Sequence, residues 1–379
     1  MNEVNSYLPL RDRTLSLHRF PKRTNETLQA WDAGDKYVIN YVEDLMLEAG
    51  KNILILNDSF GALSCWFSAQ HNVTMMSDSF ISHQATLQNA IENKAENIKL
   101  INAMDSIPSN IDLVLLKLPK SNRLLTWQLY QLRNQLKVGC PVIGVNKAKE
   151  IHTSTLTLFS KYLGETKTSL AWKKHRLVFS KPNSAEIISV NPIKQWPVEG
   201  ETYSLKNHPN TYSGESLDLG ARFMLQHLPT GDDFQHIIDL GCGNGVLSVK
   251  LSQLNPSAKL TCVDESYMAL QSAKMNVTDE RSNIENCQFI ANNCLDGFAS
   301  NSADLIVCNP PFHQNNAITD HIAWQMFCDA KHVLWPKGKL MVIGNSHLGY
   351  DEKLARLFGR SKVTQIARNN KFVILQATK

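Results

Sequence analysis

The stretch HIIDLGCGNGVLS, residues 236–248, decides the fold of the second half of this 379-residue chain. Residues His236 to Leu240 are mostly apolar and predict a buried β-strand, and glycines then recur at every second position. Glycine lets the backbone turn tightly and approach a ligand without interference from a Cβ atom. The apolar residues that follow, from Val246 to Leu254, predict an amphipathic helix. A strand, a glycine-rich turn and a helix in this order are typical of the nucleotide position of a doubly wound α/β sheet.

Two further strands of the same predicted sheet end in polar residues. The strand Lys259–Val263 precedes Asp264, roughly 20 residues beyond the glycines, where a carboxylate can accept hydrogen bonds from ribose hydroxyls. An acid here could equally be favoured by the dipole of the following helix. Both explanations can hold together if Asp264 binds the ribose and Glu265 interacts with the helix dipole. The strand Cys287–Ala291 leads to Asn293, which is either a hydrogen-bond partner for an adenine amino group or a turn former.

The strand Asp304–Cys308 ends in the tetrapeptide Asn309-Pro310-Pro311-Phe312. Consecutive prolines lack N–H groups and have a restricted φ, so the chain leaves the sheet in a stiff, extended loop at the edge where ligands bind. The side-chain oxygen of Asn309 and the carbonyl of Pro310 can accept the two N–H bonds of an amine on a planar ring, and Phe312 can stack on that ring. The alternative is a proline-rich turn with a buried phenylalanine.

The first half of the chain repeats the hydrophobic pattern of the second. Residues 53–64, ILILNDSFGALS, match residues 237–248, IIDLGCGNGVLS, in the strand, the last glycine and the Leu-Ser pair. Residues 112–120 match residues 304–312 in the same order, but the chemical positions differ. The replacements are Asn57 for Gly241, Ser59 for Gly243, Lys117 for Asn309 and Lys120 for Phe312. The pattern predicts a duplicated domain that has kept its core and lost its cofactor site, with chance similarity of two α/β domains as the alternative.

The segment between the two halves is a candidate wall of the site. A hinge is predicted near residues 181–197, which divides the chain into residues 1–190 and residues 191–379. A helix is predicted over Ser216–His227, just before the first strand of the second half. Its residues are expected either to line a pocket or to pack in the core: Leu217, Asp218, Gly220, Arg222 and Phe223.

Basic residues are concentrated in the first half. Residues 1–190 contain 22 Lys and Arg against 17 Asp and Glu, whereas residues 191–379 contain 17 against 18. A positive surface suits RNA phosphates, although so small an excess is also compatible with an ordinary solvated surface. The candidate contacts form three groups: Arg11, Arg13, Arg19, Lys22 and Arg23; Lys117, Lys120 and Arg123; and Lys173, Lys174 and Arg176.

The cysteines and histidines argue against a metal or disulfide protein. The eight cysteines form no Cys-x-x-Cys pair and the twelve histidines no metal-binding spacing. We therefore expect no metal site, and reduced thiols in a cytoplasmic protein. No apolar run reaches the length of a membrane span, so no membrane contact is expected. His313 and His321, on either side of the Asn-Pro-Pro-Phe loop, are interpreted as surface residues.

The motifs together resemble those of class I S-adenosylmethionine-dependent methyltransferases. The similarity rests on the segment Asp239–Gly245, on Asp264 and on the segment Asn309–Phe312. The Asn-Pro-Pro-aromatic motif is similar to that of members that methylate nitrogens conjugated to a planar system, including exocyclic amines of bases and glutamine side-chain amides. The resemblance implies an α/β fold of two tandem Rossmann-like class I methyltransferase domains, with residues 1–190 degenerate and residues 191–379 catalytic.

The tandem arrangement resembles the bacterial ribosomal RNA guanine-N2 methyltransferases over essentially the full length, and residues 54–65, 170–174 and 308–314 resemble the large-subunit, 23S form. This implies methylation of a 23S rRNA guanine, naked or partly assembled, with RNA binding assisted by the first domain and no obligate protein partner. The small-subunit 16S enzyme and a protein glutamine-N5 methyltransferase are the alternatives. The implied cofactor, S-adenosylmethionine, is assigned to Asp239, Gly241, Gly243, Gly245, Asp264, Glu265, Asn293 and Asn309. Catalysis is assigned to Asn309, Pro310 and Phe312.

Overall fold

The computed structural model describes residues 6–23, 26–186, 189–231, 234–281, 284–311 and 317–379, with only the backbone described for residues 317–320. The chain forms two compact units, Met1–Pro192 and Ile193–Lys379. Each contains a seven-stranded mixed sheet with helices, so the α/β class predicted from the sequence is confirmed. Phe312 and His313 lie outside the described residues.

The first unit starts with a β-hairpin and continues as alternating strands and helices. Its strands are β1 (Tyr7–Leu10), β2 (Arg13–Ser16), β3 (Asn52–Leu56), β4 (Asn72–Ser77), β5 (Ile98–Asn102), β6 (Leu113–Lys117), β7 (Val142–Lys147), β8 (Lys167–Thr168) and β9 (His175–Ser180). Its helices are α1 (Ala33–Asp44), α2 (Ala62–Phe67), α3 (Phe80–Glu92), α4 (Asn122–Gln135) and α5 (Thr153–Tyr162). The large sheet has the order β5-β4-β3-β6-β7-β9-β8. The first five strands in this order are parallel, and β9 runs antiparallel to both of its neighbours.

The second unit repeats this plan. Its strands are β10 (Lys194–Pro197), β11 (Ser204–Asn207), β12 (His236–Leu240), β13 (Lys259–Asp264), β14 (Cys287–Ala291), β15 (Ala303–Cys308), β16 (Leu334–Asn345), β17 (Val363–Arg368) and β18 (Phe372–Thr378). Its helices are α6 (Leu219–Leu225), α7 (Val246–Leu254), α8 (Tyr267–Glu280), α9 (Ala317–Val333) and α10 (Tyr350–Phe358). The large sheet has the order β14-β13-β12-β15-β16-β18-β17, which corresponds strand for strand to the first sheet.

Helix α6 is shorter than the helix predicted over Ser216–His227. It begins at Leu219 because the carboxylate of Asp218 accepts a hydrogen bond from the backbone N–H of Ala221, which makes Asp218 the N-cap. The N-cap residue has a non-helical backbone, so the residues before it cannot belong to the helix.

The central strands of the second sheet are buried on both faces, as expected for a parallel sheet covered by helices. Ile237, Leu305 and Val307 pack on one side, and Ile306 and Cys308 on the other. Leu240 at the end of β12 pairs with Cys308 at the end of β15. The glycine turn and Asn309 therefore emerge side by side. The connections that follow β12 and β15 lead toward opposite edges of the sheet, and such folds bind ligands at this point.

The first sheet has the same register at the same place. Leu56 of β3 pairs with Leu116 of β6, so Asn57 and Lys117 emerge side by side. They occupy the positions that Gly241 and Asn309 have in the second unit. Within the described part of the chain, no helix combines the length and apolar character that a membrane crossing needs.

Candidate active site at the second sheet

The turn between β12 and α7 uses its glycines for two purposes. Gly241, Gly243 and Gly245 have φ values of +76°, +55° and +79°, in the left-handed region that side chains disfavour. A Cβ added at Gly243 would meet no protein atom within 4 Å, and one at Gly241 would lie 3.3 Å from the flexible end of Met326. At Gly245 the added Cβ would lie 2.8 Å from the Cα of Ala273 in α8. The packing of α7 against α8 thus explains Gly245, whose predicted cofactor contact stays a prediction.

Asp264 connects the end of β13 to this turn. Its Oδ2 accepts a hydrogen bond from the N–H of Gly243 at 2.9 Å, and its Oδ1 accepts one from the N–H of Ser266 at 2.9 Å. Burial raises the pKa of Asp264, while these N–H groups oppose the shift. A carboxylate oxygen has two lone pairs, so both oxygens can still accept hydrogen bonds from ribose hydroxyls. Glu265 is exposed and directly precedes Ser266, the N-cap of α8, so both roles suggested for Glu265 stay predictions.

Asn293 lies at the same edge of the sheet, in the turn after β14. Its side chain is buried, and its carbonyl accepts a hydrogen bond from the N–H of Asp296 at 3.1 Å. The neighbouring N–H of Asn292 donates to the carbonyl of Asp264 at 3.0 Å. The structure therefore brings Asn293 and Asp264 to one edge and shows Asn293 in a turn, while its contact with adenine remains a prediction.

Asp239 lies beneath the glycine turn and has an unsatisfied oxygen. Its Oδ2 accepts a hydrogen bond from the hydroxyl of Ser248 at 2.6 Å, whereas its buried Oδ1 has no hydrogen-bond partner within the described residues. Burial raises the pKa of Asp239 to about 7, although the Ser248 hydroxyl opposes the shift. An acceptor withdrawn from water without a donor is costly. Bare glycine backbone, a carboxylate with spare lone pairs and this unsatisfied oxygen fit a cofactor that carries a ribose and a cationic amino group.

The side-chain amide of Asn309 is held at one end only. Its Nδ2 donates to Oδ2 of Asp218 at 3.4 Å, and its Oδ1 is buried with no donor among the described residues. A carboxylate can only accept hydrogen bonds, so Asp218 faces the NH₂ end of the amide. The opposite end, Oδ1, is therefore the acceptor available to an amine.

The other predicted residues near Asn309 have different surroundings. Leu217 and Phe223 pack against the core, which is the second of the two expectations for them. Arg222 pairs with Glu199 at 2.7 Å, and Gly220 is buried. Asp218 is thus the member of this segment that contacts Asn309. Pro310, the residue after Asn309, is buried. The stacking assigned to Phe312 stays a prediction, because that residue lies outside the described ranges.

The corresponding place in the first unit holds a buried ion pair. Nζ of Lys117 lies 2.5 Å from Oδ1 of Asp35, whose side chain is 1% exposed. Although burial opposes it, the nearby carboxylates, Asp35 first, hold the pKa of Lys117 above its usual value, so the ammonium stays charged. Asn57 keeps a left-handed φ of +63° and donates from Nδ2 to the carbonyl of Lys117 at 2.9 Å. Its side chain thus fills the position where Gly241 leaves backbone bare.

Several cations suggested as RNA contacts have internal partners. Lys117 is one, because its ammonium group is paired with Asp35. Arg11 pairs with Asp44, Arg13 lies over the ring of Trp66, and Arg19 lies over the ring of Phe60. The exposed lysines among the candidates are Lys22, Lys120 after β6, and Lys173 and Lys174 between β8 and β9. Lys173 also lies over the ring of Trp172. Contact of these lysines with a phosphate backbone stays a prediction.

This fold and this set of groups at the second sheet define a class I S-adenosylmethionine-dependent methyltransferase domain. Residues 5–184 match the model of the RLMG N-terminal domain, and residues 202–376 match that of the Methyltransferase small domain. The chain is 65% identical over 372 residues to the Ribosomal RNA large subunit methyltransferase G of Vibrio campbellii, an alignment that covers 98% of this chain and 97% of that protein. It is 62% identical over 373 residues to the protein of the same name from Aliivibrio fischeri, with 98% of each covered. The chain belongs to the family of ribosomal RNA large subunit methyltransferase G.

A solved structure shares the whole architecture. The T. thermophilus 16S rRNA N2 methyltransferase in complex with AdoMet and guanosine matches with a TM-score of 0.77 over 98% of this chain and 97% of that chain, at 19% identity. This likeness supports the fold of two tandem methyltransferase-like units.

Proposed function

We propose that this chain methylates the exocyclic N2 of a guanine in 23S rRNA with S-adenosylmethionine as the methyl donor. The family supports methyl transfer and the large-subunit RNA as substrate. Relatives with 60–66% identity over nearly the whole chain are named ribosomal RNA large subunit methyltransferase G. The observation that supports a nitrogen acceptor is the Asn309 amide. Its Oδ1 is buried, without a donor among the described residues. Asn309 directly follows β15, which pairs with β12, the strand that leads into the glycine turn.

We assign the cofactor to the edge formed by the ends of β12, β13 and β14. The bare backbone of Gly241 and Gly243 would form the platform, Asp264 would accept hydrogen bonds from the ribose, and Asn293 would bind the adenine. Oδ1 of Asp239, which is buried without a donor among the described residues, would accept from the cationic amino group. The cofactor supplies, when bound, an electrophilic methyl group on a sulfonium sulfur. The cofactor contacts of Glu265 and Gly245 also stay part of this proposal, although packing against α8 by itself explains the glycine at residue 245.

The chain's own groups prepare the nitrogen for this transfer. An exocyclic guanine amine is a weak nucleophile because its lone pair is delocalised into the ring. Oδ1 of Asn309 and the carbonyl of Pro310 each accept one N–H of the amine, which localises the lone pair and fixes its direction. Both oxygens also stabilise the positive charge that develops on the nitrogen before one proton leaves to water. Phe312 is assigned to the face of the base, which must be unpaired or flipped to reach this edge.

We further infer that the first unit assists RNA binding through its exposed lysines, and that the protein acts in the cytoplasm on naked or partly assembled 23S rRNA. Support comes from the basic balance of residues 1–190 and from Lys173 and Lys174, which extend from a tight turn. Charge reversal by Lys173→Glu together with Lys174→Glu should weaken binding of 23S rRNA fragments. The slope of the logarithm of the binding constant against the logarithm of the salt concentration should fall in magnitude by about 2. An unchanged slope would rule out this turn as a phosphate contact.

The substrate is tested by methyl transfer to three candidates in parallel. The purified chain and isotopically labelled S-adenosylmethionine are incubated with 23S rRNA, with 16S rRNA or with ribosomal proteins, and the products are digested and analysed by mass spectrometry. N2-methylguanosine in the 23S sample is the expected result. Label confined to 16S rRNA or to glutamine would refute the proposal in favour of the small-subunit or protein-modifying alternative.

A further inference from the structure

We infer that Asp218 is a positioning residue, which orients the Asn309 amide so that its oxygen faces the target amine. The inference rests on the proposed function, because it presupposes an amine as the methyl acceptor. Oδ2 of Asp218 accepts from the N–H of Ala221 at 2.9 Å and from Nδ2 of Asn309 at 3.4 Å. Oδ1 of Asp218 accepts from the hydroxyl of Tyr212 at 3.4 Å. One carboxylate thus ties the start of α6 to the residue after β15.

An asparagine needs such a partner because its amide has nearly the same shape at both ends. Rotation by 180° exchanges the oxygen with the NH₂ group. Only the oxygen can accept a hydrogen bond from an amine, and the reversed amide would set donors against donors. A carboxylate accepts and never donates, so Asp218 stabilises only the orientation with Nδ2 turned toward it. The remaining end, Oδ1 of Asn309, is buried without a donor within the described ranges, which leaves it for the substrate.

The charge of Asp218 adds to this effect. Hydrogen bonds to an ionised group are stronger than neutral ones, and hydrogen bonds in series polarise one another. A carboxylate at the NH₂ end increases the negative character of Oδ1 at the other end. That oxygen then accepts more strongly as positive charge develops on the methylated nitrogen.

The first unit separates this role from helix capping. Asp32 precedes α1 as Asp218 precedes α6, and its Oδ1 accepts from the N–H groups of Gly34 at 2.7 Å and Asp35 at 3.2 Å. The residue that corresponds in register to Asn309 there is Lys117, the last residue of β6, so no amide at that position has to be oriented. Capping by aspartate is thus common to both units, and the contact with an asparagine amide belongs to Asp218.

Two substitutions distinguish positioning from capping. Asn and Ser cap helices nearly as well as Asp, so Asp218→Asn and Asp218→Ser should unfold at temperatures close to that of the wild type. The Asn variant keeps an oxygen within reach of the Asn309 amide but loses the charge, whereas Ser is too short to reach it. On 23S rRNA we expect kcat to fall roughly tenfold for Asp218→Asn and on the order of 100-fold for Asp218→Ser. The KM for RNA and the calorimetric Kd for S-adenosylmethionine should change by less than about threefold.

Asp32→Ser is the matched control, because it makes the same change at the equivalent cap and should leave kcat unaltered. A wild-type kcat in Asp218→Ser, or equal losses in the two variants, would overturn the inference. A parallel loss of cofactor affinity would also overturn it, since that would make Asp218 part of the cofactor site. Failure of the proposed function is a separate result, because there the wild-type chain itself would not methylate 23S rRNA.

Discussion

The glycine turn after β12 allows packing and cofactor binding to be perturbed separately. Gly245→Ala places a Cβ 2.8 Å from the backbone of Ala273, so α7 and α8 must separate. Gly243→Ala, two residues earlier, places a Cβ where no protein atom lies within 4 Å. We therefore expect Gly245→Ala to lower mainly the free energy of unfolding, and Gly243→Ala to lower mainly the affinity for S-adenosylmethionine.

The magnitudes follow from the two positions. Both residues have positive φ, and a left-handed conformation costs a residue with a Cβ about 1–2 kcal/mol. Gly245→Ala adds an overpacking cost of about 1–3 kcal/mol, because the atom it meets is backbone and cannot rotate away. The free energy of unfolding of the second unit should therefore fall by about 2–5 kcal/mol for Gly245→Ala and by about 1–2 kcal/mol for Gly243→Ala. A methyl group at residue 243 keeps the cofactor from approaching the backbone and should weaken binding about tenfold, equivalent to about 1.4 kcal/mol.

Urea unfolding with peptide-resolved hydrogen exchange measures the loss within each unit, and titration calorimetry measures the Kd for S-adenosylmethionine. Gly61→Ala is the matched control in the first unit, where φ is +78° and the added Cβ would lie 2.9 Å from the Cα of Thr86. It should destabilise the first unit and leave cofactor affinity unchanged. Equal stability losses for Gly243→Ala and Gly245→Ala, or an unaltered Kd in Gly243→Ala, would refute the reasoning.

Three other substitutions test groups at the two sheet edges. Asn309→Ala should lower kcat on the order of 100- to 1,000-fold in rRNA methylation assays, with little change in the Kd for S-adenosylmethionine, because the missing acceptor acts on the amine. Asp239 has its pKa raised from 3.8 to about 7 by burial, so the folded state retains a proton that the unfolded chain releases, and its share of stability is lost as pH rises through this range. Thermal unfolding of Asp239→Asn at about pH 5 and about pH 8 should lack this fall, which amounts to at most about 1.4 kcal/mol per pH unit. Lys117→Met should cost the first unit about 3–5 kcal/mol in urea unfolding by leaving Asp35 unpaired, and adding Asp35→Asn should recover part of it.

Each of these substitutions has a result that would contradict the expectation. A fully active Asn309→Ala enzyme would remove the amine-binding role. Parallel stability curves for wild type and Asp239→Asn across this pH range would show that the native carboxyl is ionised throughout. An unchanged free energy of unfolding in Lys117→Met would mean that the ion pair of the first unit contributes no stability.

Local sequence was sufficient for the elements that carry the site. A glycine at every second position after an apolar strand can adopt positive φ, and consecutive prolines cannot continue a ladder, so both features act within a few residues of chain. The strand, turn and helix at residues 236–254 are accordingly where the sequence predicted them, and β15 ends at Cys308, directly before Asn309. The repeat of strands in residues 53–120 likewise predicted a second sheet of the same kind, and the common strand order confirms it.

Contacts between distant residues depended on the tertiary structure. Asp218 and Asn309 are 91 residues apart, and Lys117 and Asp35 are 82 residues apart, so no local pattern could pair them. From sequence alone, a lysine at the end of a strand is predicted to be an exposed cation. Only the fold shows that a carboxylate lies beside it. Gly245 shows the same limit, since only the approach of α8 reveals why it lacks a side chain. Sequence alone determined which groups reach the edge of each sheet, because backbone conformation is set locally. The fold decided which of those groups face one another, because that depends on the register of strands and helices far apart in the chain.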